Sequence, residues 1–392
     1  MLSMVAEAAT ITVGSNGSDF TSIQEAIDIA NPGDKILVYS GSYYENLDVN
    51  KQLILYGVDT GIGIPTISAK GCDNVITLSA DGCLIVGFEI KDSGNWFLSD
   101  SGIKVISNNN IIAYNNICNN SNGIFLMDSN NNTIINNSIN HNDIGIFMGD
   151  SRNELFYVGP PGSSNNIIIG NNISNNWDGI LFWNSNDNSI INNDISFNEM
   201  GVDIYDHSAN NKVMNNEIVY NLDCGVIIWN SNNSNNIVAD NLIHYNDVGI
   251  SFCCSKLCNS DLQDSKENII TDNIIVYNTM RGIVVPDKLG RNIIDEIKNN
   301  NRIDSTIGVY NCDSSVCPAT PHISVTIKTS PEGANIYIDE KNLGITPKTV
   351  YFSVGGNFSL NLSKDGYEIY GMDLIVPMEK EDNEMIFVLK RL

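Results

Sequence analysis

Carboxylates and aromatic rings are the side chains of this 392-residue chain whose types and spacing point to chemistry. Trp183, Tyr205 and Trp229 stand 22 and 24 residues apart, and Asp203 and Asp206 flank the middle ring. Rings lined up at near-equal steps offer a surface on which sugar faces stack, while neighbouring carboxylates take the hydroxyls. Paired carboxylates could instead hydrolyse a glycosidic bond, standing about 5 Å apart in a retaining enzyme or about 6.5 to 9.5 Å in an inverting one. Asp128, Asp150, Asp143, Glu199 and Asp247 add to the acids in this part of the chain. Asp203, with Leu181 and Ile227 expected beside it, is the acid that apolar flanks would push toward general-acid duty. Asp206-His207 reads first as a polar turn. No cofactor is expected; the acids could hold calcium, although no spaced ligand loop is present. Seven of the nine cysteines fall into the groups Cys72/Cys83, Cys253/Cys254/Cys258 and Cys312/Cys317, and without any CxxC pair they favour disulfides or free thiols over zinc.

The composition indicates what kind of frame holds these groups. With 21 Lys+Arg against 46 Asp+Glu, a net charge of −25, sequence-independent binding to nucleic acid is excluded. A 42% hydrophobic and 17% charged chain holds a core and is not disordered. No apolar run approaches the roughly 18 residues that cross a bilayer, so no transmembrane segment is expected. Residues 1–9, containing Ala6-Glu7-Ala8, read as a leader or signal remnant. Asn-x-Ser/Thr acceptors at Asn16, Asn119, Asn131, Asn136, Asn172, Asn232, Asn357 and Asn361 suit an extracellular or cell-surface protein.

A repeat with a basic step of 22 residues sets the architecture. Aligned on Ile117, Ile139, Ile173, Ile195, Ile218, Ile243 and Ile275, it has asparagine two residues before, three after and seven before each isoleucine, without exception. Each repeat consists of short alternating apolar pieces separated by Asn or Gly, which reads as short strands joined by turns, and stacked repeats of this kind make a parallel β-helix with coils about 4.8 Å apart. Asparagine tolerates left-handed bends and its amides stack into ladders, so these columns are given structural duty.

Ser22-Ile23-Gln24-Glu25-Ala26-Ile27-Asp28-Ile29-Ala30 has helical spacing and is expected to cap the open end of the solenoid. Together with Phe20-Thr21, Pro32-Gly33-Asp34, Gly41-Ser42-Tyr43-Tyr44-Glu45-Asn46 and the Asn/Gly repeats, it resembles the NosD-like, pectate-lyase-type right-handed parallel β-helix family over about residues 10–317. The resemblance implies the fold and leaves function open, since such proteins include lyases, hydrolases, epimerases, binding proteins and surface structures. It also implies copper delivery as a third reading, against which stands the lack of Met/His clusters.

Residues 318–322 read as a linker. Beyond it Ser330-Pro331-Glu332-Gly333-Ala334, Leu343-Gly344-Ile345-Thr346-Pro347 and Lys364-Asp365-Gly366-Tyr367-Glu368 resemble the PEGA domain, which implies a small β-sandwich over 323–392 with an envelope-contact role. The expected function is therefore a non-catalytic cell-surface β-helix protein that binds polysaccharide or cell-envelope glycan, or serves as an envelope structural element. The alternative is a polysaccharide hydrolase or lyase using Asp203 and Asp206. Repeat expansions near 152–164 and 254–267 leave from the same turn on either side of the aromatic coils, and either wall a groove or fold over it.

Overall fold

The computed structural model describes residues 8–15, 17–95, 100–150, 162–229, 233–252, 267–286, 291–304, 308–312, 322–338, 341–353, 357–375 and 383–391. Contacts divide the chain into two units, Met1–Cys317 and Pro318–Leu392. The first is a right-handed parallel β-helix of three 11-stranded sheets, each coil giving one strand to each sheet in turn. The first sheet runs from Thr10–Val13 to Ile269–Thr271, the second from Ser42–Tyr43 to Arg302–Ile303, and the third from Leu47–Val49 to Val309–Cys312.

The register explains the repeat. Ile117, Ile139, Ile173, Ile195, Ile218, Ile243 and Ile275 pair coil upon coil in the second sheet, and all are fully buried. At each bend an asparagine points inward and joins a ladder. Asn193 is typical: its backbone N–H and its amide both donate to Asn216 Oδ1, at 2.9 and 3.0 Å, while the amide also donates to Ile168 O of the preceding coil at 2.9 Å. Asn171 donates to Asn193 Oδ1 in the same two ways. Only a side chain that is both donor and acceptor on one short stem completes this pattern, which fixes asparagine at every rung. The left-handed geometry falls one residue earlier, at Asn192 and Asn215 (φ 55° and 56°).

The glycine that stands second in each third-sheet strand from Ser101–Val105 to Arg281–Pro286 has a steric reason. A Cβ on Gly201 would lie 2.4 Å from Gly225 O and 3.0 Å from the ladder amide of Asn221, so coils can close up only if this position is bare.

The N-terminal end is capped by the helix Ile23–Ile29, which buries Ile23, Ala26 and Ile27. Its first turn is held by Ser22 and by Glu45, whose carboxylate accepts from Ser22 Oγ and from the backbone N–H groups of Ile23 and Gln24. A second helix, Arg291–Asn300, packs Ile294 and Ile297 on the last coils; the sequence reading has no helix there. The C-terminal unit is a β-sandwich. One sheet places His322–Ser330 between Lys348–Ser353 and Asn383–Val388, and the other has four antiparallel strands from Asn335–Ile338 to Tyr370–Ile375. Val325, Ile327, Ile336, Ile338, Leu360 and Leu362 are buried between them.

Candidate functional site

The third sheet turns alternate residues inward and outward. Ile180/Phe182, Val202/Ile204 and Val226/Ile228 are fully buried in the core. One outward column runs Phe125, Phe147, Leu181, Asp203, Ile227, Ser251. Further along the strands lie Trp183 and Tyr205, in register, and then Trp229. The rings make one continuous run: Phe125 and Phe147 stack at 4.5 Å, Phe147 meets Trp183 at 6.4 Å, and Trp183–Tyr205 and Tyr205–Trp229 stand edge to face at 5.6 and 5.3 Å.

With interplanar angles of 71° and 76°, the three outer rings do not lie in one plane; each stands nearly perpendicular to the next. All three are half-buried, while Phe125 and Phe147, which the sequence reading passed over, are buried.

The face divides into two apolar clusters with acid between them. Phe125, Ile144 and Phe147 pack with Met127, Leu181 and Trp183; Cys224, Ile227, Val248 and Val284 pack with Met200 and Trp229. Between them lie Asp203, only 5% exposed, and Asp178, 8% exposed, a residue missing from the sequence reading. Burial, with the charge of nearby Glu199, pushes Asp178 up to about 7. Burial raises Asp203 well above the carboxylate range, Asp178 raises it further, and the Trp229 indole offsets part of the rise. That indole N–H nevertheless makes no well-formed hydrogen bond, and Asp178 Oδ1, Asp203 Oδ1 and Trp229 Nε1 are all buried without a partner. Burial, Asp206 and Asp203 also raise the Tyr205 phenol. One signal could have found Asp178. Its register partners are Ile144 and Met200, so it is an acid between two apolar neighbours.

Other expected groups are placed differently. Asp206 is buried, and its Oδ1 is 2.8 Å from His207 Nδ1, so it belongs to its own pair, while the charge of Asp178 acts on Asp203. The Asn184 amide donates to Asp150 Oδ2 at 2.9 Å. Asp143 accepts from Ser121 and Asp247 from Thr279. Cys72 is exposed and Cys83 buried; both are free, so they do not pair. Trp177, 60% exposed, stands at the rim beside Asp178. Asn230, Arg152, Cys253, Cys254, Cys258, Cys317 and nearly all of the 152–164 and 254–267 expansions lie outside the described residues.

Comparison with known proteins follows the fold. Among solved structures the chain is similar to XylC in complex with xylose (10% identity, TM-score 0.54, covering 91% of this chain and 90% of that one). It is also similar to the Dettilon tailspike protein (14%, 0.51, 90% and 78%) and to pectate lyase Pel9A (15%, 0.45, 69% and 78%). At these identities the likeness shows the fold alone. No curated protein matches the chain. The PEGA domain model matches residues 322–384. The model described as periplasmic copper-binding protein (NosD) matches residues 30–158 and 161–252. Copper would need converging soft or imidazole donors. Among the described residues no three His, Cys, Asp or Glu side chains converge, and His141, His207 and His244 sit on separate coils beside Asn140, Asp206 and Glu217. These residues do not fit a copper centre. With the match covering more than half its length, the chain belongs to the NosD family of parallel β-helix proteins and carries a PEGA domain at its C-terminal end.

Proposed function

We propose that this protein works outside the cytoplasm, in the periplasm or at the cell surface, as a glycan-binding β-helix whose site is the outer face of the third sheet. The observation that carries the reading is the set of orphaned polar atoms, Asp178 Oδ1, Asp203 Oδ1 and Trp229 Nε1, lying between two apolar clusters and beside half-buried rings. A sugar needs this mixture, because its ring faces are apolar and its hydroxyls both donate and accept. Trp183, Tyr205 and Trp229 take the ring faces, Asp203 takes hydroxyls, and Asp206 supports the rim through His207. The PEGA unit is proposed to contact an envelope protein.

The alternative, a polysaccharide-acting enzyme, draws on the raised pKa of Asp203. In hydrolysis such a carboxyl would protonate the leaving glycosidic oxygen while a second carboxylate takes a proton from the water that adds to the anomeric carbon. A glycan array with wild type, Trp183→Ala and Trp229→Ala tests the first reading. Each variant should keep its fold and weaken the strongest neutral hit by about 1 to 3 kcal/mol. Unchanged affinity in both sinks it. New reducing ends released from the hits by wild type, and not by Asp203→Asn, would put the enzyme first.

A further inference from the structure

We propose that Asp178 and Asp203 are specificity-determining residues that confine this site to uncharged glycans and exclude uronates, an inference that rests on the glycan reading above. Both side chains are more than nine-tenths buried, and each leaves an oxygen with no partner on the face between the apolar clusters. A buried carboxylate without a cation carries a heavy desolvation penalty, so such a group keeps its proton, and a protonated carboxyl presents an O–H donor. Two donors and the indole N–H of Trp229 suit the hydroxyl and ring oxygens of a neutral sugar. They offer no positive charge to a uronate.

The surrounding charges point the same way. Glu199 faces Asp178, Asp206 and the Tyr205 phenol lie along the strand from Asp203, and Asp143, Asp223 and Cys224 flank the pair on the adjoining coils. His207 is committed to Asp206. Among the described residues of the third-sheet columns, the permanent cations are Lys104 and Arg281. Lys104 is three coils from Asp178 and four from Asp203, and Arg281 is three coils from Asp203 and four from Asp178, on opposite sides, so the nearer separation is about 14 Å at about 4.8 Å per coil. An anionic sugar bound here would meet carboxyls, with both of these cations beyond a Debye length.

The experiment is calorimetric titration of the full chain with hexasaccharides of xylose, mannose and glucose as neutral probes and with hexagalacturonate, at about pH 5.5 and about pH 8.5. Affinity for the best neutral probe should fall about tenfold or more across that interval as Asp178 loses its proton, and hexagalacturonate should bind at least about tenfold more weakly at both values. Asp178→Asn, whose side chain cannot ionise, should flatten the pH ratio whatever its effect on affinity at the lower pH. Asp178→Ser, which also cannot ionise, serves as the second variant if the first does not fold. Hexagalacturonate binding as tightly as the neutral probe overturns the inference, and so does an unchanged pH ratio in a folded Asp178 variant. If a neutral probe binds and Trp183→Ala weakens it, the glycan reading survives such a failure. If no probe binds at either pH, the glycan reading itself falls, and this inference with it.

Discussion

Asp178→Asn should make the protein more stable at neutral pH while leaving it nearly unchanged in acid. The unfolded value for this carboxyl is 3.8 and the folded one is about 7, because burial and Glu199 disfavour its charge. Below 3.8 both states hold the proton, and ionisation affects neither. As pH rises from there the unfolded chain sheds its proton while the folded chain keeps it, so the folded state is destabilised progressively until about pH 7, beyond which the penalty is constant. About three pH units at about 1.36 kcal/mol each give about 4 kcal/mol. Asp203 shares the same field, so the penalty is divided between the two carboxyls and about 2 to 4 kcal/mol is the expected gain. An asparagine of the same shape is never charged and escapes it. Asp34 bends the curve the opposite way. Backbone N–H groups of Asn31 and Ala9 hold its pKa down, so its contribution is present above its unfolded value and lost as pH falls. That slope is common to both proteins and cancels in the difference. Urea unfolding followed by circular dichroism at about pH 4, 6 and 8 reads the effect directly. Wild-type and variant stabilities that run parallel across this range would refute the reasoning.

The other predictions test the frame. Asn193→Leu should destabilise by about 3 to 5 kcal/mol, more than a single hydrogen bond, because it strips partners from Asn171, Ile168 O and Asn216 Oδ1 together; a melting temperature within error of wild type would contradict the ladder. Gly201→Ala should lower stability by about 3 kcal/mol or more, since the added carbon meets Gly225 O at 2.4 Å, and an unaffected unfolding curve would mean the coils can part. Limited proteolysis should cut within 318–322 and release a C-terminal unit that stays folded, judged by dispersed amide resonances; a fragment that unfolds on release would count against the two-domain division.

How much of this was legible depends on how local its cause is. The asparagine columns were readable because every rung imposes the same demand for donor and acceptor on one residue type, and repetition makes the demand visible. The column holding Trp183, Tyr205 and Trp229 was readable from spacing, but ring orientation was not: χ angles follow from neighbours such as Phe147, which lies in a different column and so escaped notice. Asp178 was hidden by attention to the residue before it in each repeat, where Asp143, Glu199 and Asp247 recur. The helix Arg291–Asn300 was hidden because its apolar content is small; Ile294 and Ile297 are the residues that reach the core among its described side chains.

The solenoid itself gives the buried acids their consequence. In an ordinary domain a like-charged pair can relax by a small backbone shift or by rotation toward water. Here the two neighbouring coils that carry Asp178 and Asp203 are tied by the ladder pairs Asn166–Asn188, Asn171–Asn193 and Asn176–Asn198, and Gly179 closes against Gly201 O. Strand spacing near 4.8 Å is therefore enforced at every bend. Separation of the carboxyls would break hydrogen bonds at several bends at once, at about 1 kcal/mol or more for each bond left unmade. Relief is left to protonation or to a ligand that supplies partners. A rigid frame thus converts an electrostatic conflict into selectivity for what binds, and the same rigidity makes the Asp178→Asn curve and the neutral-probe titration two independent readings of one pair of carboxyls.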